Sequence, residues 1–360
     1  MHIYISTFHR GYNYGESLQS CAMQYFLKKI SYDSELLSVN HKRPHKYSGK
    51  KAFIKSKIKD LYKLRYLSKD IMRKKNFENF FKKYHKVSQY YSSFEVLKQN
   101  PPKDGIYLAG SDQIFNPMLA DIYPDLFLQF GKKETKRISY AASLGVNNIP
   151  PDKQDIFKKY ISVFDKVSLR ESTCKDEVER LYGREVAVNV DPCLLLSKEE
   201  WDKIRCDSIS KKVKKAYILV YLLYRPSWIN QFLKKLHNET GYDIILLTQK
   251  IGKSIYNNYY AYEAGPSEFL DLIANAKMVI SSSFHGNVFS IIYQKPFYAI
   301  VNPNSASRIT ELLTLFKLEN RILKKDDTVS FDIDYSKAEA ILRTEQEKSK
   351  NYLINSIEGD

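Results

Sequence analysis

The chain has 360 residues, 43% of them apolar, and a formal net charge of +16. No stretch approaches the roughly 18 consecutive apolar residues that mark a membrane-spanning helix. The four cysteines show no CxxC spacing, and the opening MHIYISTFHR carries too short an apolar run for a secretory signal. A spanning protein, a disulfide framework and a zinc ribbon are thereby excluded, and a cytoplasmic, reducing location is expected.

The charge is uneven. Between Lys42 and Lys98 stand 18 Lys and Arg against four acidic residues, a local balance of +14, so the rest of the chain is nearly neutral. Basic charge confined to one segment, without a recognised nucleic-acid motif, argues against nucleic acid as a partner.

In chain order, short apolar runs at 3–5, 36–39, 106–109, 138–141, 167–169 and 186–190 read as strands. A second set follows at 217–223, 244–247, 279–281 and 298–301. Helical patterns at 17–29, 153–164, 172–181, 228–237, 268–274 and 309–316 lie between them. Such alternation predicts βαβ units and mostly parallel sheets. The sets meet at the stretch DPCLLLSKEEW, 191–201, and the polar stretch CDSISKKVKK, 206–215, reads as a linker or surface turn.

The expected fold class is α/β, with two doubly wound, Rossmann-like domains facing a cleft. Residues 1–200 form the first domain, 201–330 the second, and 331–360 a helical tail. The basic segment, about 41–100, reads as a helical insertion into the first domain. Its apolar period runs through Ile54, Ile58, Leu61, Tyr62 and Arg65, then Phe77, Phe80, Phe81 and Tyr84.

In an open α/β sheet, ligands bind beyond the carboxyl ends of the strands. Four strand ends here carry polar, turn-forming residues: GSDQIFNP from Gly110 to Pro117, Ser143-Leu144-Gly145, Arg170-Glu171, and Ser281-Ser282-Ser283-Phe284-His285-Gly286. Taken singly, each also reads as ordinary structure: a cap, a solvated pair, a histidine in a tight turn. Asp191-Pro192 reads as a turn opening.

Together with Asn13-Tyr14-Gly15, VDP, GPSEFL and SRITELL, these stretches resemble, in order and rough spacing, the polysaccharide pyruvyl transferase family. The resemblance covers 1–30 and about 105–325. It implies a fold similar to the GT-B glycosyltransferases and phosphoenolpyruvate as donor, with no cofactor and no metal. The enolpyruvyl group is passed to two sugar hydroxyls as a cyclic ketal. Arg170 then matches the family's donor-holding arginine and His285 its essential histidine, with Ser282, Ser283, Phe284 and Gly286 around the donor. Asn13, Gly110, Ser111, Asp112 and Asn116 are placed on the acceptor side. The chain departs from the family where many members have Arg-Leu-His-Gly, since Ser283 stands at the arginine position.

The residue types suit that chemistry. A donor with phosphate and carboxylate calls for a forked cation such as Arg170 and for a helix N-terminus after His285. A histidine titrating near neutrality suits the proton transfers. The expected acceptor is galactose in a lipid-linked or polymeric surface glycan, on a polyprenyl diphosphate carrier. Residues 41–100 are then expected to hold the protein on an anionic membrane surface. Two alternatives stand beside this reading. One is a nucleotide-sugar glycosyltransferase with Glu268 toward the ribose; the other is a catalytically impaired glycan-binding member, supported by Ser283.

Overall fold

The computed structural model describes residues 1–41, 50–248, 255–303 and 307–359, with the side chains of 50–66 and 307 outside that description. The first half runs β1 (His2–Ser6), α1 (Tyr14–Lys29), β2 (Asp33–Val39), α2 (Lys50–Tyr84), β3 (Val87–Tyr91), α3 (Phe94–Gln99) and β4 (Gly105–Ala109). It continues with β5 (Arg137–Ser139), α4 (Pro151–Ile161), β6 (Val167–Leu169), α5 (Lys175–Tyr182) and β7 (Val186–Val188). Strands β3-β2-β1-β4-β5 form a parallel sheet in that order. The parallel pair β6-β7 extends it through the bridges Ile138 to Lys166 and Ala142 to Leu169.

The second half runs α6 (Lys198–Asp202), β8 (Tyr217–Tyr221), α7 (Ile229–Thr240), β9 (Asp243–Leu247), β10 (Tyr259–Tyr260), α8 (Pro266–Asn275) and β11 (Met278–Ser281). Then come α9 (Phe284–Ile292), β12 (Phe297–Ala299), α10 (Ser307–Leu315) and α11 (Ser336–Glu358). Its sheet is also parallel, in the order β10-β9-β8-β11-β12. Every residue of β8 and β11 is buried, as a parallel sheet covered on both faces requires.

Strand order reverses beside β1 in one sheet and beside β8 in the other, the points where α/β sheets open a crevice. One apolar core is continuous across the two halves: Leu18, Met23 and Phe26 of α1 belong with Trp201, Phe269, Phe289 and Leu353. Two further cores cover the outer faces of the first and second sheets.

Several sequence expectations are redrawn by local chemistry. Helix α1 starts at Tyr14 because the Asn13 side chain accepts from Gly15 N. The strand expected over 217–223 stops at Tyr221, where the amides of Leu223 and Tyr224 turn to donate to Ser282 Oγ. The strand expected over 186–190 stops at Val188, and Val190 N donates instead to Ser349 Oγ of α11. Within the segment read as a helical insertion, Val87–Tyr91 is the edge strand of the first sheet. Its half-polar sequence VSQYY hides this, since only one of its five residues is buried. Before it runs a helix of 35 residues, α2, whose side chains at Ile54, Ile58, Leu61, Tyr62 and Arg65 lie outside the described set, and after it the short α3.

The C-terminal helix crosses back to the first half. Tyr352 donates to Ser139 O, Gln346 to Leu194 O, and Leu353 is fully buried. Leu353→Ala is therefore expected to lower the unfolding free energy by about 2–5 kcal/mol, read by denaturant titration. A loss below about 1 kcal/mol, well short of a cavity in a packed core, would make α11 a detachable tail.

Candidate active site

Loops from both sheets converge on one carboxylate. Asp191 follows β7 and opens a short helical turn over Pro192–Leu195. Its Oδ1 accepts from Cys193 N at 3.0 Å, which sets the turn. Its Oδ2 accepts from Ser111 Oγ at 3.1 Å and from Arg170 Nη1 at 3.0 Å. His285 Nε2 stands 3.5 Å from the same oxygen, an ion-pair distance at which it makes no hydrogen bond. All four side chains are buried.

Burial alone would raise the Asp191 pKa, but the charges of His285 and then Arg170 outweigh it and hold the carboxyl well below its usual range. Burial likewise works against the Arg170 charge. Glu171, Asp191 and Asp112 together outweigh that and hold the guanidinium above its ordinary value.

Arg170 spends only part of its fork here. Nη2 is buried without a hydrogen-bond partner, and Nε faces Glu171 Oε2 at 3.5 Å. Its guanidinium carbon lies 4.2 Å from the Phe284 ring centroid, a cation–π contact that brings the first residue of α9 onto the first half. Glu171 is itself positioned by Ser143 Oγ and by the amides of Leu144 and Gly145, which all donate to its Oε1.

A cavity of about 300 Å³ opens beside this group, lined by Arg170, Glu171, Ser172, Phe284, Arg308 and Glu311. Arg308 comes from α10 in the second half. Burial, followed by the neighbouring Arg170 charge, holds its guanidinium below the ordinary arginine value. The two guanidinium groups share this cavity with the carboxylates of Glu171, Asp191 and Glu311. At this cavity the halves are tied by Ser172, whose N and Oγ both donate to Glu311 Oε2.

The other expected residues take varied places. Ser111, Arg170 and His285 meet at Asp191, and Phe284 stacks on Arg170. Ser282 Oγ is engaged with the backbone of Leu223 and Tyr224, and Ser283 caps α9 by accepting from Gly286 N. Gly286 is a packing requirement: a Cβ there would lie 2.1 Å from Ser281 Oγ. Gly110 packs on Thr7, with an added Cβ 3.0 Å from the threonine Cβ. Asp112 adopts φ 77° and accepts from Gln113 N, while Asn116 caps the turn at Pro117–Leu119. Glu268 is committed to Gly265 N and Ser208 Oγ at the start of α8.

Sequence reasoning misses three of these residues: Asp191 reads there as a turn opening, Glu171 as half of a solvated pair with Arg170, and Arg308 is embedded in SRITELL. Gly15 reads in the sequence only as part of a helix start. A Cβ on it would lie 2.2 Å from His285 Nδ1, so α1 presses its first turn directly on the imidazole.

No carboxylate–histidine cluster is visible in the sequence, yet the fold builds one, because Asp191 and His285 come from different halves. Asp191, Cys193 and His285 each offer a ligand atom, all within 4.8 Å of one another. Arg170 already occupies the shared carboxylate oxygen. Burial, then the Asp191 charge, holds the Cys193 thiol well above its usual range. Both features favour an ion-paired cluster over capture of a cation.

Asp191→Asn leaves the buried Arg170 guanidinium facing a neutral amide and is expected to cost about 3–5 kcal/mol. A depressed carboxyl stabilises the folded state above its unfolded pKa, about 3.9, and this contribution is lost as pH falls through the folded value. The share of the gap between wild type and Asp191→Asn that comes from the carboxyl's own depressed pKa should thus be complete above about pH 4 and be lost only below it. Chemical denaturation across pH checks this; a gap that closes between pH 5 and 7 would contradict the assignment.

The sequence model of the polysaccharide pyruvyl transferase family matches residues 13–304. No curated protein matches the chain in sequence. Among solved structures, the UDP-GlcNAc 2-epimerase of Neisseria meningitidis bound to UDP-GlcNAc superposes with a TM-score of 0.51 at 10% identity, covering 97% of this chain and 100% of that one. The UDP-GlcNAc 2-epimerase of Methanocaldococcus jannaschii gives 0.50 at 12% identity, covering 96% and 99%. These likenesses show the fold, two Rossmann-like halves in the GT-B-like arrangement. The family match spans most of the chain and the loops that carry Ser111, Arg170, Asp191 and His285, ending just before Arg308: this protein belongs to the polysaccharide pyruvyl transferase family.

Proposed function

We propose that the protein transfers the enolpyruvyl group of phosphoenolpyruvate to two hydroxyls of a sugar, forming a cyclic ketal and releasing phosphate. The observation that carries this reading is the pairing of Arg170 and Arg308 on one cavity beside the Asp191–His285 pair. A small donor with two anionic groups suits two guanidinium forks. In this scheme Arg170 and Arg308 hold the phosphate and carboxylate, and the start of α9 adds its amide dipoles. His285 moves a proton, with Asp191 stabilising its charged form.

The chemistry balances without a cofactor. The methylene carbon gains a proton while the first hydroxyl adds to C2. Loss of phosphate then gives an oxocarbenium-like centre that the second hydroxyl captures. Of the two hydroxyl protons, one matches that gained by carbon and the other leaves with phosphate. The acceptor is assigned to the first-half side, along Asn13, Asp112 and Asn116, with galactose of a polyprenyl-linked or polymeric glycan as the sugar; Gly110 and Ser111, buried here, support that loop instead of touching the sugar.

His285→Ala and Arg308→Ala are each expected to reduce transfer by roughly 100- to 10,000-fold while the unfolding transition is retained. The assay is mass spectrometry of a galactoside and mannoside panel incubated with phosphoenolpyruvate. Near-normal turnover in a folded variant would remove that residue from the mechanism.

We also assign α2 to an anionic membrane surface, on the cytoplasmic face where lipid-linked glycans are assembled. The segment 42–98 carries the +14 balance, and Leu67, Ile71 and Met72 of α2 are 49%, 58% and 48% exposed. No helix among the described residues is long and apolar enough to cross a membrane, so contact would be peripheral. Co-sedimentation with anionic vesicles should fall steeply with salt. It should weaken when Lys55, Lys57, Lys59, Lys74 and Lys75 become Gln; binding indifferent to both would contradict the assignment.

A further inference from the structure

Helix α2 leaves the first half and lies against the second, and one buried arginine lies within that contact. Arg73 is 3% exposed. Its Nη2 donates to Tyr12 O at 2.7 Å and its Nη1 to Tyr14 Oη at 2.9 Å, both in the first half. Longer bonds of 3.4 Å run from Nη1 to Thr248 O and Tyr262 O in the second half. The rings of Tyr14, Phe77 and Tyr262 surround the guanidinium with centroids 4.8–5.5 Å from its central carbon. Among the described residues Arg73 makes no ion pair. A buried cation held only by carbonyls, a hydroxyl and ring faces is costly in desolvation, and here its bonds are divided between two halves.

The bonds continue toward the site. Tyr14 Oη, which accepts from Arg73, donates to Ala264 O at 2.9 Å across the same boundary. The Tyr14 ring stacks on Phe269 of α8 at 4.8 Å and 11°. The next residue is Gly15, whose backbone lies directly on the His285 imidazole. Lys69 with Glu263 at 2.9 Å, and Asn76 donating to Glu263 O, flank the arginine on α2.

We propose that Arg73 is a positioning residue. It clamps the halves in the closed arrangement that brings His285 and Arg308 of one to Asp191 and Arg170 of the other. The proposal rests on the pyruvyl-transfer reading for its kinetic arm alone. A donor that needs groups from both halves binds only the closed form. If the closed fraction falls, its apparent affinity falls in proportion, while saturating donor restores the closed state. Opening the clamp is therefore expected to act on KM for phosphoenolpyruvate and to spare kcat.

The test is Arg73→Met, which keeps side-chain length and apolar contact but removes every donor. Tyr14→Phe serves as a second variant, keeping the ring stack and losing only the bridging hydroxyl. Arg73→Met is expected to raise KM for phosphoenolpyruvate about 10- to 100-fold, with kcat within about twofold of wild type. Small-angle scattering should show a larger radius of gyration than wild type without donor and the wild-type value with saturating phosphoenolpyruvate. A folded Arg73→Met with wild-type KM and radius overturns the proposal, as does a fall in kcat at unchanged KM. If Arg73→Met fails to fold, the same two readings on Tyr14→Phe decide. If wild type does not bind phosphoenolpyruvate, the functional reading fails, and the donor-free radii of wild type and variant still decide the clamp.

Discussion

Ser111 Oγ, Arg170 Nη1 and the Cys193 amide all donate to the carboxylate of Asp191, and the His285 imidazole lies within ion-pair reach of it. Charges buried this deeply are tolerated only when paired and hydrogen-bonded, so each partner must be delivered accurately. The architecture meets that demand by ending β4, β6, β7 and β11 at one place. Ser111 follows the first of these strands, Arg170 the second, Asp191 the third and His285 the last. Because His285 comes from the other sheet, its pairing with Asp191 exists only while the halves are together, whereas the Arg170–Asp191 pair lies within the first half.

The halves are kept together by more than the cluster. Their shared apolar core runs from α1 to α8 and α9, and α11 returns from the second half to lie on Ser139 and Leu194. Helix α2 adds the Arg73 contacts on the opposite flank. Closure of the site thus depends on α2 and α11 as well as α1, α8 and α9, all of which contribute to that one core. Such a site can be tuned by residues that never touch a substrate.

Much of this was legible in sequence because the period of a parallel sheet is plain. Polar residues at strand ends, such as Arg170 after VSL and His285 after VISSSF, announce positions where a sheet delivers side chains to a cleft. Asp191 was harder to read, because its two oxygens have different tasks. Oδ1 caps the turn that Asp-Pro suggests, while Oδ2 serves the cleft; the local signal reports only the first. Arg308 sits in a recognisable stretch, yet nothing in its spacing says that it meets Arg170 from 138 residues away. Strand β3 was hidden for a different reason. Its exposed edge residues interrupt the apolar alternation that a central strand shows. The contacts of α2 with the second half were illegible too, since amphipathic period marks a buried face without saying what buries it.

The central claim is that two arginines from facing halves form a receptor for a small dianionic donor. It is tested most directly by titration calorimetry of the wild-type protein with phosphoenolpyruvate in the absence of any sugar, followed by competition with inorganic phosphate and with UDP-GlcNAc. The account predicts saturable binding of one phosphoenolpyruvate per chain, displaced by phosphate and indifferent to the nucleotide sugar. Binding of UDP-GlcNAc with none of phosphoenolpyruvate would contradict it.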